Sequence, residues 1–203
     1  MLVKEAKKII GSLGHPSKMP GLSYGLPASQ CNVGSKLAKI PGTTCYSCYA
    51  MKGNYIYRDV KTSHANRLKG IESSLWVEAM VMMIHRSNER WFRWHDSGDI
   101  QSAEHLQKII DIARRLPNVR FWLPTREYQI IKAFDKPIPK NLTIRVSATK
   151  IDGAAPTFWR TTSTVHNNKP ATGYVCPAPK QGNKCNDCRA CWSKIRNVSY
   201  RVH

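Results

Sequence analysis

The fold is decided by residues 91–128, WFRWHDSGDIQSAEHLQKIIDIARRLPNVRFWLPTREY. Trp91–Trp94 is a strand of bulky residues that ends in small and polar ones, HDSGD. Ser102 then stands as an N-cap before SAEHLQKIIDIARRL, whose apolar residues recur at helical spacing. NVRFWLPTREY is a second strand with a polar end. Downstream the alternation continues: QIIKAFDK reads as a short helix, LTIRVSATKIDG as a third strand and TSTVHNN as a fourth. Strand, helix, strand, helix, strand is the signature of crossover units on a parallel sheet. In such sheets the site forms at the carboxyl ends of the strands. Those ends read HDSGD, PTREY and SATK, and point to a shared pocket.

Working outward, residues 58–89 read as helical, with Ser73 or Ser74 as an N-cap and Met80, Met82 and Met83 as core filling. Residues 11–44 are rich in Gly, Pro, Ser and Thr and read mostly as loop. The expectation is a single α/β domain over 1–203: a partial parallel β/α barrel or open parallel sheet with a cysteine-rich C-terminal extension. Within it, 1–57 is a loop-rich segment, 58–170 the β/α core and 171–203 the cysteine-rich segment.

Composition sets the bounds. Hydrophobic residues are 41% and charged residues 22%, which is globular rather than disordered. No stretch reaches the length of a membrane span, and the N-terminus has neither the apolar core nor the cleavage site of a secretory signal. The expected location is the cytoplasm, a reducing compartment where seven cysteines point to metal or catalysis before disulfides. Against 13 Asp+Glu stand 32 Lys+Arg, a formal +19 that favours DNA or RNA as partner.

Cys176, Cys185, Cys188 and Cys191 are spaced C-x8-C-x2-C-x2-C, and Pro177 follows Cys176. Three thiols in one short run resemble the ligand run of a 4Fe–4S cluster more than the paired knuckles of a zinc site, which is the alternative metal. Four thiols would fill all four irons and leave the cluster closed. Cys31, Cys45 and Cys48 form a second set, C-x13-C-x2-C, followed by Tyr49. Three thiols leave one iron open to a substrate or cofactor. The count of clusters is thus one or two, according to whether the second set is a site or ordinary buried cysteine.

Two resemblances follow from these residues. A three-cysteine site early in the chain, a parallel β/α array and a second cysteine-rich segment together resemble the radical S-adenosylmethionine superfamily. The resemblance implies S-adenosylmethionine on the open iron. Two departures stand out: the first interval is thirteen residues instead of three, and SGD at Ser97–Asp99 is a loose counterpart of the superfamily's glycine-rich stretch. More of the chain, KMPGLSYGLPASQC, CYSCYAMKGNY, HDSGD and CNDCRACW, resembles the phage gene-product-88 domain family, which implies a phage or prophage origin. For a phage-encoded chain the compartment is the host cytoplasm.

The candidate cofactor-binding residues are Ser97, Gly98, Asp99, Arg126 and Ser147. Asp99 reads equally as a helix cap, and Arg126 as a partner of Glu127. Thr149 and Lys150 are similar candidates, and His95 reads foremost as a hydrogen-bonded structural histidine. The candidate nucleic-acid contacts are Lys180, Lys184, Arg189, Lys194, Arg196 and Arg201. Aromatic and basic residues interleave at Tyr55–Arg58, Trp91–Trp94 and Trp159–Arg160, which suits base stacking or core packing alike. Two functions fit: a radical S-adenosylmethionine-type enzyme acting on nucleic acid or a host component, or a non-enzymatic iron–sulfur or zinc protein that binds nucleic acid.

Overall fold

The computed structural model describes residues 1–202. Its centre is a seven-stranded sheet in which every pairing is parallel: β1 (Leu22–Tyr24), β2 (Trp91–Trp94), β3 (Arg120–Thr125), β4 (Leu142–Ile151), β5 (Thr162–His166), β6 (Tyr174–Val175) and β7 (Asn197–Arg201). The order is β1-β2-β3-β4-β5-β7-β6, an open parallel α/β fold. The crossover expectation from residues 91–166 holds.

Period-two alternation sorts the side chains. Phe92, Trp94, Phe121, Leu123, Leu142, Ile144 and Val146 face one way. They share a core with helices α1 (Val3–Ile10), α4 (Trp76–Ser87), α5 (Ala103–Arg115) and α6 (Tyr128–Ala133). Met80 is fully buried there, and Met82 and Met83 pack against it. Ser102 caps α5, its hydroxyl accepting from the His105 N–H.

The opposite face carries Trp91, Arg93, Trp122, Thr143 and Arg145. The C-terminal segment covers it: Trp192 packs on Trp91 and Trp122, and its indole N–H donates to the Phe92 carbonyl at 3.0 Å. Cys185 N–H donates at 2.8 Å to the carbonyl of Lys18, which lies just ahead of β1. The segment therefore reaches from one edge strand across to the other. It is no appendage, because β7 inserts between β5 and β6.

Two local expectations are corrected, and the third, a mostly looped 11–44, holds with two short elements inside it. The helical stretch 58–89 is two helices, α3 (Arg58–Gly70) and α4, broken at 71–75. The N-cap of α4 is Leu75, not Ser73 or Ser74. Ser73 is spent one turn earlier, where its hydroxyl accepts from the Leu75 N–H. The stretch 11–44 contains β1, which three residues between Gly21 and Gly25 disguise, and the four-residue helix α2 (Gly34–Leu37). α1, β6 and β7 carry too little alternation or length to read from pattern alone. No helix is long and apolar enough to cross a membrane among the described residues.

Candidate metal centres

The loop after β1 delivers the first cysteine set to the carboxyl ends of the strands. Cys31 ends the short turn Ala28–Gln30, and its carbonyl accepts from Ser35 N–H at the start of α2. Cys45 and Cys48 sit on a loop held against the end of β4. Thr44 N–H donates to the Thr149 carbonyl at 2.9 Å, and Thr43 bridges Lys150. The Thr43 hydroxyl donates to the carbonyls of Leu37 and Ile40 and accepts from Tyr46 N–H. Cys48 N–H closes a turn on the Cys45 carbonyl.

These loops bring Cys31 and Cys45 to one spot, over Gly34. A Cβ on Gly34 would lie 2.9 Å from Cys31 Cβ, 3.5 Å from Cys31 Sγ and 3.7 Å from Cys45 Sγ. Burial pushes the Cys31 thiol well up, and the charges of Asp99, Cys48, Cys45 and Glu127 push it further. Burial also raises Cys45, against the opposing pull of the Arg126 guanidinium. Cys31 thus stands among carboxylates and other thiols, whereas Cys45 has the Arg126 guanidinium to offset them in part.

The three polar strand ends interlock. Ser97 Oγ donates to the Leu26 carbonyl at 2.8 Å. Gly98, at φ +82°, brings the β2 end so close to β1 that a Cβ would meet Leu26 Cβ at 2.6 Å. Asp99 is buried, and its two carboxylate oxygens accept from Ile100 N–H and Arg126 N–H, both at 2.8 Å. Asp99 is thus not the α5 cap. It ties the end of β2 to the end of β3, and burial pushes its carboxyl up to about 6. Arg126 Nε donates to the Ala148 carbonyl at 3.2 Å, and among the described residues Arg126 forms no ion pair with Glu127. Glu127 instead accepts from Val33 N–H at 2.9 Å, anchoring the loop between Cys31 and α2. The Ser147 hydroxyl accepts from Ser163 Oγ at 2.9 Å. Thr149 and Lys150 meet the Cys45 loop through their backbones.

His95 differs from expectation. It is buried at φ +52°, and neither ring nitrogen finds a hydrogen-bond partner among the described residues. Its ring instead lies 5.4 Å from that of His105, and burial holds it neutral by lowering its pKa well below the usual histidine range.

The second cysteine set lies on the other face of the sheet from the helices. Cys176 follows β6, and Cys185, Cys188 and Cys191 line successive turns. Cys191 Sγ lies 3.1 Å from the Tyr200 hydroxyl, and Cys188 Sγ 3.4 Å from the Tyr174 hydroxyl. Burial raises Cys176, Cys185 and Cys191, the last to about 11. Among the described residues no three His, Cys, Asp or Glu side chains are arranged to grip a single metal ion.

Arg93 stands between the two sets. Its guanidinium donates to the Tyr49 hydroxyl at 3.1 Å, lies 4.6 Å over the Trp122 ring and is felt electrostatically at Cys185 and Cys191. Arg93, Tyr49, Glu127 and the scaffold residue Arg145 escape a sequence reading of the site. In LTIRV the alternation gives Arg145 the face opposite Leu142, Ile144 and Val146, so the sequence reads it as a solvent-facing cation, and only the C-terminal segment laid over that face buries it.

The six candidate nucleic-acid residues do not form one face. Lys194 and Arg196 precede β7, at the strand-start edge, whereas Arg201 ends β7 at the opposite edge. Lys180 and Lys184 are exposed on the cysteine loop. Arg189 lies over the Trp91 ring and donates to the carbonyls of Asn186 and Cys188. The interleaved aromatics are largely packed: Phe92 and Trp94 are buried, and Trp159 donates to the Ile144 carbonyl.

No curated protein and no solved structure matches the chain. One family model does, described as gene product 88, over residues 1–194, and it spans both cysteine sets up to Lys194. The motifs KMPGLSYGLPASQC, CYSCYAMKGNY, HDSGD and CNDCRACW are therefore those of a phage protein family, and the chain belongs to the gene product 88 family.

Proposed function

We propose that the protein is an iron–sulfur enzyme of the radical S-adenosylmethionine type, built on a partial β/α barrel. In this reading Cys31, Cys45 and Cys48 hold a 4Fe–4S cluster with one open iron, and Cys176, Cys185, Cys188 and Cys191 hold a closed one. The observation that carries it is the meeting of Cys31 and Cys45 over Gly34 at the carboxyl ends of the strands, with Cys48 near enough to be felt electrostatically by both and with Asp99, Arg126 and Glu127 beside them. When bound, the open cluster supplies the electron that cleaves S-adenosylmethionine.

The chain's own residues then have distinct tasks. Arg126 spends Nε on Ala148 and has its two terminal nitrogens to offer a carboxylate in a bidentate fork. Asp99 positions Arg126 through its backbone N–H, so it acts through that residue. Ser97 and Gly98 hold the β2 end against β1, and Ser147 joins the middle of β4 to β5. Glu127 fixes the Cys31 loop.

Anaerobic purification should give a brown protein with broad absorption near ~400 nm, as thiolate-bound clusters do, together with acid-labile sulfide. Under a strong reductant it should release 5′-deoxyadenosine from S-adenosylmethionine, and C31A/C45A/C48A should abolish that release. A colourless protein with stoichiometric zinc and no sulfide overturns the cluster reading. The formal charge of +19 favours one second reading, a cluster- or zinc-bearing nucleic-acid-binding protein without chemistry. Sulfide without any 5′-deoxyadenosine would select it.

A further inference from the structure

Five neighbouring strands of the sheet begin behind a cation. Arg90 precedes β2, Arg120 opens β3, Lys140 lies two residues ahead of β4, Arg160 two ahead of β5, and Arg196 directly ahead of β7 with Lys194 beside it. The spacing is invisible in sequence, where these residues lie twenty to thirty-six positions apart. A parallel sheet aligns them, because every strand start lies at the same edge. All six are exposed. The ion pairs among the described residues are Lys108–Glu104, Arg114–Asp111 and Arg115–Glu78, none of which uses a cation of this row. Within two residues of any of the six, the sole acid is Glu89. The Lys194 ammonium donates to the Leu142 carbonyl at 3.2 Å. Its affinity for a proton is lowered by burial and then by Arg160, Arg120 and Arg145, so like charges gather here without a counter-charge.

We propose that this strand-start edge is a docking surface for a nucleic-acid duplex, held through its phosphates by Arg90, Arg120, Lys140, Arg160, Lys194 and Arg196. Adjacent strands lie ~4.8 Å apart, so four gaps span roughly 20 Å. One strand of a duplex presents a phosphate every ~3.4 Å of rise, about six over that length. A concentrated row of unpaired cations against a regular row of anions is the match that a general surplus of charge does not provide. The row has no free aromatic: Trp91 is covered by Trp192 and Arg189, and the Trp159 indole is hydrogen-bonded into β4. Base stacking is therefore absent, and the duplex is gripped without sequence preference. The surface lies at the opposite end of the strands from Cys31, Cys45 and Cys48, so the bound duplex and the proposed cofactor do not compete.

Fluorescence anisotropy with a short labelled duplex tests this. With about five phosphates neutralised, affinity should fall roughly 500-fold between about 50 and 200 mM salt. R120E/R160E/K194E should cut that salt dependence to roughly 12-fold, as for about two phosphates, and weaken binding at low salt. K4E/K7E/K8E makes the same charge change on exposed residues of α1 and should keep the wild-type salt slope. Should the first triple fail to fold, Arg120→Ala and Arg160→Ala singly should each lower the logarithmic slope by about one. C31A/C45A/C48A should bind duplex like the wild type, which separates this surface from the cluster reading. Three results overturn the proposal: no duplex binding at low salt, equal losses in the two triple variants, or displacement of the duplex by polyglutamate at equal charge.

Discussion

Arg145→Met should be among the most damaging substitutions outside the cysteines. Arg145 is fully buried in β4, and no carboxylate pairs with it among the described residues. Its two terminal nitrogens donate to four carbonyls: Thr162 at 2.8 Å, Ile195 at 3.1 Å, Ala190 at 3.0 Å and Ser193 at 3.1 Å. Three of those carbonyls belong to the turn that carries Cys191 and Trp192 across the sheet. Hydrogen bonds from a charged donor contribute about 1.5–3 kcal/mol each, so four give roughly 6–12 kcal/mol gross. Burying a guanidinium without a counter-ion takes several kcal/mol back, and the Ala190 carbonyl keeps the Ser193 N–H and hydroxyl as partners. The net loss for Arg145→Met is then about 3–5 kcal/mol, against a typical total of about 5–15 kcal/mol. Urea unfolding at equal metal content measures it. With a slope of about 2 kcal/mol/M, the midpoint should fall by roughly 1.5–2.5 M. Arg145→Lys should lie between the two, since a point charge lacks the planar fork that reaches four acceptors. A midpoint for Arg145→Met within about 0.5 M of the wild type would refute the reasoning. It would mean that desolvation of the guanidinium cancels its bonds.

Gly34→Ala places a methyl 2.9 Å from Cys31 Cβ and against both sulfurs. Iron and sulfide retained by C176A/C185A/C188A/C191A should fall by at least half when Gly34→Ala is added, with the urea midpoint of the metal-free chain little changed. Unchanged iron would show that the thiols do not close over Gly34. Asp99 tests the strand-end lock by pH. Its folded pKa, about 6, is above the ordinary 3.8, so the folded state keeps a proton that the unfolded chain has lost. The contribution to stability therefore falls as pH rises from ~4 to ~6, by roughly 3 kcal/mol in all. Asp99→Asn should lose that component of the pH dependence while being less stable at pH 4, because one of the two side-chain oxygens that accept from the Ile100 and Arg126 N–H groups is replaced by an NH2 donor. Parallel stability–pH curves for the two proteins would contradict it.

Residues 91–166 determined their own arrangement. Ser102 followed by an apolar stripe, and bulky runs ending in HDSGD, PTREY and SATK, are local signals that local physics reads correctly. The cysteine spacing equally announced two sets of thiols. The tertiary structure decided what has no local signature. β1 is three residues long and exists because β2 pairs with it. β7 enters the sheet between β5 and β6, which turns an expected extension into the cover of a whole face. Asp99 serves Arg126 instead of α5 because the two strand ends meet in space. The six candidate cations scatter, Lys194 and Arg196 to one end of β7, Arg201 to the other and Lys180, Lys184 and Arg189 to the cysteine loop, while a row assembles from Arg90 to Arg196. Spacing along a chain fixes neighbours only within a helix turn or a strand. Which strands lie side by side is set by the burial of their faces, and that alone brings distant charges and thiols together.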